Sequence, residues 1–309
     1  MNSQVLSAIE RTDAIPSPPQ IVTRLLEITR DENFKQDDVV KLLSTDPGVS
    51  SDILRLANSA MFGVVRKIAT LGQALTLLGI RRVRTLVIGR CMVDKLSGGN
   101  NQIIDPSYYW RRSLATGVLS AHFADHVAPG QRDIAFMGGL LCDVGVVILS
   151  RALPDKYKAV AAAYAPQQGA HFLEKELQTL GITHAEVSAA ALQKWNLPED
   201  MVQAIRHSHD TTRPNLGERA AQLAGVLNGA GQIAQLLCEA PDKKSIGSRC
   251  QDAMSLVGLD SVVLKHVLKK IEQDIGEFAT ILKVDVIPSR VYSLIADSIA
   301  EQLEAVPSA

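Results

Sequence analysis

The chain has 309 residues, of which 46% are hydrophobic and 21% charged, which suits one large domain or two ordinary ones and disfavours extended disorder. With 32 Lys and Arg against 33 Asp and Glu the net charge is −1, unlike a dedicated nucleic-acid binder. The length excludes a peptide hormone or disulfide mini-scaffold, and aromatics at only 4% favour packed helices over an aromatic-rich β-sandwich. The expected fold class is all-α.

Helices follow one another along the chain. A short one over residues 2–12 is broken by Pro16, Pro18 and Pro19, and the next starts near Gln20 with Ile21, Leu25, Leu26 and Ile28 on its apolar face. Asp37 or Asp38 opens a third through Leu43. Thr45-Asp46-Pro47 then stops and restarts the chain, because proline fits a helix's first turn but not its interior. The fourth helix runs to about Asn58, which with Ser59 is expected to satisfy backbone groups where that helix ends. Helices follow near 70–78 and 81–96, and SGGNN at 97–101 is the best internal linker.

Beyond it, helices are expected near 106–127, 131–150, 154–165, 170–180, 184–195, 198–209 and 216–238, then a loop from Ala240 to Ser248, then helices near 249–257, 260–282 and 288–304. The division read from this pattern is an N-terminal helical half (1–97), a second helical half (98–240) and a C-terminal helical extension (241–309). No internal repeat of fixed period is present.

Neither a run long enough to span a bilayer nor a secretory leader is read, so a cytoplasmic protein without membrane contact is expected. The widely spaced Cys91, Cys142, Cys238 and Cys250 read as buried free thiols. From Ile53 to Val93 there is no acidic residue, whereas Arg55, Arg66, Lys67, Arg81, Arg82, Arg84 and Arg90 are all positive. Arg66, Lys67, Arg81, Arg82 and Arg84 are candidates for binding an anion or an acidic partner, while the alternative is that the block neutralises acidic helices around it.

Two stretches carry a family resemblance. Residues 15–88 hold the Pro-rich start, Asp46-Pro47, Leu56-Ala57-Asn58-Ser59-Ala60 ending in Phe62-Gly63, and Ala74-Leu75 leading to Leu78-Gly79. Residues 110–240 hold WRRSLATG, AFMGGLLCDVG, ITHAEVSAAALQKWNLPEDMVQAIRHSHD and VLNGAGQIAQ in order. Together they resemble the HDOD family, a bacterial regulatory relative of the His-Asp metal-dependent phosphohydrolases, which implies an N-terminal helical half packed on an HD-like half.

A His-Asp centre needs several imidazoles and carboxylates around one or two metals. In the resemblance the first His position is Arg112, the His-Asp pair is Cys142-Asp143, a His survives at His184, the later His-His pair is Ser208-His209, and the closing Asp falls at Gly231. Asp143, His184 and His209 therefore remain as a remnant metal site, while Arg112, Cys142, Ser208 and Gly231 are degenerate positions. A rebuilt zinc site with Cys142 and His207 is weighed against by geometry, since Cys142 and Asp143 on one helix point about 100° apart. The sharper expectation is that Asp143 pairs with Arg112 or Arg111, taking over the tie that the metal supplied.

The resemblance thus implies a non-catalytic signal-transduction protein that scaffolds protein partners such as two-component or cyclic-dinucleotide components, with no cofactor. The alternative is a metal-dependent phosphohydrolase acting on a nucleotide or phosphodiester and holding a divalent metal. The sequence sets no oligomeric state.

Overall fold

The computed structural model describes residues 14–31, 33–59, 66–97, 103–164, 172–209, 216–239 and 243–282, with a few positions near the two termini. Most of the expected helices at 288–304 and 2–12, most of the SGGNN linker and the Ala60–Gly63 segment lie outside the described residues. Every regular element among the described residues is helical, so the fold is all-α.

Contacts divide the chain into two compact units, one of Pro16–Gly99 with Glu277–Lys283, the other of Met1–Ile15, Asn100–Gly276 and Val284–Ala309. The first unit holds α1 (Gln20–Ile28), α2 (Gln36–Ser44), α3 (Pro47–Asn58) and α4 (Leu71–Ser97). Asp46 caps α3 by accepting from the Val49 amide at 3.0 Å, and Pro47 sits in the first turn. At the other end Asn58 donates to Leu54 O and Ile68 O and accepts from Ile68 N, clasping the incoming segment at 2.7–2.8 Å. Gly79 interrupts α4 at φ 78° and ψ 157°, a backbone region that side chains avoid.

One member of the basic block is absorbed inside this unit. Buried Arg90 donates from Nε to Asp52 Oδ2 at 2.8 Å and pairs with Asp94, tying α4 to α3. Both acids lie just outside the acid-free stretch, so the sequence window that exposed the asymmetry also hid its partners. Arg66, Lys67 and Arg81 are exposed and Arg82 and Arg84 half-buried.

The second unit contains α5 (Pro106–Val127), α6 (Arg132–Leu141), α7 (Val144–Ala152), α8 (Pro154–Ala161), a 3-10 turn at Ala162–Tyr164, α9 (Phe172–Leu180), α10 (His184–Lys194), α11 (Glu199–Arg206), α12 (Glu218–Cys238), α13 (Lys243–Val257) and α14 (Ser261–Leu282) as far as Gly276, the rest of α14 counting with the first unit. Two sequence expectations are corrected here. The single helix at 131–150 is two helices meeting at Cys142-Asp143, with Asp143 at φ −100° and ψ 11°. Its apolar run is buried on both sides of the break, so the pattern carries no mark of the turn.

The loop expected from Ala240 to Ser248 gives way to helix from Lys243. Ile246, Cys250, Ala253 and Val257 are buried, and α13 packs on α12 so closely that a Cβ on Gly229 would meet Ala253 O at 2.7 Å. Burial overrides the weak local preference of Ser245-Ile246-Gly247-Ser248. Residues 243–276 accordingly share a unit with residues 100–239, a grouping different from the separate extension read from sequence.

The crossing of α5 and α6 depends on small residues. A Cβ on Gly139 would lie 2.7 Å from Thr116 O and 2.8 Å from Gly117 Cα, and one on Gly117 would lie 2.9 Å from Phe136 O. Gly139 thus serves close helix packing. All four cysteines are free and buried.

Gly139→Ala should destabilise the protein by about 1–3 kcal/mol, because the added methyl meets backbone that has no room to give. Gly231→Ala, whose Cβ would meet only Thr116 Cγ2 at 4.0 Å, should be neutral or stabilising by about 0.5–1 kcal/mol. Urea unfolding of the two variants checks the contrast, and equal midpoints would refute the crossing argument.

Candidate functional site

The helix break at Cys142-Asp143 delivers the Asp143 carboxylate into a cavity of about 250 Å³. Arg112 and Thr116 reach it from α5, Phe172 and Leu173 from α9, His184 from the start of α10, Ser208 and His209 from just after α11, and Leu227, Asn228, Gly231, Gln232 and Gln235 from α12. All seven positions singled out in sequence, Arg112, Cys142, Asp143, His184, Ser208, His209 and Gly231, line this one cavity. Arg66, Lys67, Arg81, Arg82 and Arg84 do not. His207 does not line it either, whereas His209 does.

Local rules place His184. Thr183 and Glu186 form a capping box, with the Thr183 amide donating to Glu186 Oε2 at 2.9 Å, which fixes the first turn of α10. Gly145 packs directly on the His184 carbonyl, and its amide donates to Ser188 Oγ at 2.8 Å, locking α7 against α10. The side chain is then held from behind: Glu176 Oε2 accepts from His184 Nδ1 at 2.7 Å and from its backbone amide at 2.8 Å. The other oxygen, Glu176 Oε1, accepts from Tyr157 OH at 2.6 Å.

Into the cavity, His184 Nε2 lies 3.1 Å from His209 Nε2 and 3.4 Å from Asp143 Oδ1. Asp143 Oδ2 receives Tyr164 OH at 3.3 Å and stands 3.7 Å from Arg112 Nε, an ion pair with side chains 4% and 13% exposed. The pairing expected for Arg112 with Asp143 is therefore present. The Arg112 guanidinium also lies over the Tyr164 ring, 5.1 Å from its centroid. Cys142 Sγ donates to Gly139 O at 3.2 Å and approaches Asp143 Oδ1 at 3.4 Å, so the neighbouring side chains meet because the helix ends between them.

These groups set one another's charge. Burial alone would raise the Asp143 pKa, but Arg112, then His184 and His209, reverse it and hold the carboxyl well below the usual range. Burial would likewise discharge His184, yet Glu176 and Asp143 hold its pKa up to about 10. His209 goes the other way: burial and the neighbouring His184 charge push it down to about 3. Burial followed by Asp143 drives the Cys142 thiol well above 9.0, so it stays protonated. His184 is thus an imidazolium donating from both nitrogens, and His209 is its neutral acceptor.

Asp143, His184 and His209 offer donor atoms within 4.8 Å of one another, the grouping that could hold a metal ion. Sequence reasoning missed the layer behind it, Glu176, Tyr157 and Tyr164. Glu176 had a legible signal, since it falls between Phe172 and Leu180 at successive i+4 steps on the buried stripe of α9. An acid on an apolar stripe needs a buried partner.

Folding raises the His184 pKa from 6.5 to about 10, so its stabilisation is complete below pH 6.5 and is lost as pH rises toward 10. His209 falls from 6.5 to about 3, so its contribution is complete above pH 6.5 and is lost toward acid. Asp143, held below its ordinary 3.8, adds a further loss as pH drops through that range. Urea midpoints should therefore peak near pH 6.5, and His184→Gln should flatten the alkaline decline. An alkaline limb identical in wild type and variant would count against the charged imidazole.

The HDOD domain family model matches residues 15–211. Among solved structures, an HDOD domain protein of unknown function from Geobacter sulfurreducens superposes with TM-score 0.66 at 20% identity, covering 86% of this chain and 93% of its own. A candidate phosphohydrolase from Shewanella amazonensis SB2B gives TM-score 0.63 at 23% identity, covering 96% of this chain and 97% of its own. A candidate signal transduction protein from Marinobacter aquaeolei VT8 gives 0.58 at 19%, covering 91% and 65%. An uncharacterized protein of Treponema pallidum is 28% identical over 207 residues, 64% of this chain, and the chain spans only 39% of that relative's length. The match runs over well more than half the sequence and reaches both helical halves, and by it the chain belongs to the HDOD domain family.

Proposed function

We propose that this protein is a regulatory component of bacterial signal transduction, cytoplasmic and non-catalytic, whose helical body serves as a scaffold for protein partners. The observation that carries the reading is Arg112, whose guanidinium stands 3.7 Å from Asp143 at a position where the metal-dependent relatives are expected to place an imidazole. A guanidinium keeps its proton and repels a divalent ion while it occupies the carboxylate that would bind one. Membership of the family and the signalling name of the Marinobacter relative support the same direction. Two-component or cyclic-dinucleotide proteins are the partners in this reading.

The residues do not fit a hydrolytic metal centre. Three donors remain, two of them are joined nitrogen to nitrogen at 3.1 Å, and the third is paired with a cation. The carboxylate behind His184 is the feature that most resembles a metal-binding imidazole, because such a group orients the ring and fixes its tautomer. It serves equally to balance a buried imidazolium.

Elemental analysis of the purified protein should find divalent metal well below one ion per chain. Hydrolysis of a generic phosphodiester should stay at background with or without chelator and be unchanged in Asp143→Ala. Arg112→His, which removes the cation and adds a donor, should raise divalent-metal affinity. One tightly held ion per wild-type chain, with chelator-sensitive hydrolysis abolished by Asp143→Ala, would overturn the scaffold reading.

A further inference from the structure

The cavity keeps hydrogen-bonding capacity that its own network leaves unused. Arg112 Nε is buried and has no acceptor within hydrogen-bonding distance among the described residues. Asn228, Gln232 and Gln235 stand at i, i+4 and i+7 on α12 and line the same cavity. Gln232 Nε2 donates to Asn228 Oδ1 at 2.8 Å and Gln235 Nε2 donates to Glu239 Oε1 at 2.9 Å, and among the described residues Asn228 Nδ2 and the Oε1 atoms of both glutamines take no further hydrogen bond. Gly231, between them, holds the space open. Phe172, Leu173 and Leu227 supply apolar wall.

Size and charge narrow what can fill it. At about 250 Å³ the space falls below the roughly 300–1,000 Å³ of pockets that take drug-sized ligands, so a dinucleotide is too large. Among the described residues of this network the carboxylates of Asp143 and Glu176 are matched by the Arg112 guanidinium and the His184 imidazolium, while His209 is neutral. No surplus positive charge awaits a phosphate. What remains complementary is a small uncharged molecule with a fixed edge of donors and acceptors, which side-chain amides read in pairs. Resting on the metal-free reading of the pocket, we infer that the cavity binds a purine or pyrimidine base, free or as its nucleoside, between Arg112 and the Asn228-Gln232-Gln235 row, in preference to the phosphorylated form.

Isothermal titration of the full chain in EDTA, with adenine, guanine and uracil, their nucleosides and the corresponding monophosphates, tests this. At least one base or nucleoside should bind more tightly than its monophosphate, and the base and nucleoside arms identify which form is taken. Gln232→Leu should weaken binding about tenfold by removing one hydrogen-bonding pair. Gly231→Leu should abolish it by filling the space, and this second variant stands if the first fails to fold; far-UV circular dichroism and urea midpoints report folding for both. Absence of binding across the panel, a monophosphate bound more tightly than its nucleoside, or binding unchanged in a folded variant overturns the inference. Elemental analysis of the same sample judges the metal-free reading separately, since a base can fail to bind a protein that carries no ion.

Discussion

A buried alternation of charge organises the larger unit. Arg112, Asp143, His184 and Glu176 follow one another as cation, anion, cation and anion, each within 3.7 Å of the next. Every member arrives from a different element, so the chain can close only when α5, the α6–α7 break, α9 and α10 are all in place. Removing one member leaves an uncompensated buried charge, which typically costs about 3–5 kcal/mol, far more than the net worth of such a pair. The arrangement therefore specifies a unique packing more strongly than it adds stability.

Geometry below the charges makes their meeting possible. Gly117 and Gly139 let α5 and α6 touch along their backbones, which brings Arg112 and Thr116 to the level of Cys142-Asp143. Gly145 does the same between α7 and the His184 carbonyl. Tyr157 and Tyr164 complete the shell, each hydroxyl placed on a carboxylate oxygen. Small residues set the distances and polar ones use them.

The legible parts of the sequence were those fixed by local chemistry or by motif order. Asp46-Pro47 announced the start of α3 because capping and proline act within one turn. The positions from Arg112 to Gly231 follow the motif order, and all of them line the cavity. Illegible features depended on the interior. The break at Cys142-Asp143 sits in a run buried throughout, the start of α13 is decided by packing on α12, and Arg90 finds Asp52 across 38 positions. Glu176 lay between the two, visible as an acid on an apolar stripe and explicable only once its partners were placed.

The protonated, enclosed state of Cys142 has a redox consequence. Nucleophilic attack on peroxides or disulfides requires the thiolate, and burial and Asp143 together hold Cys142 in its thiol form. A sulfur on the wall of the pocket is thereby a poor nucleophile at neutral pH, so the chamber's polarity rests on its carboxylates, imidazoles and amides rather than on thiol chemistry.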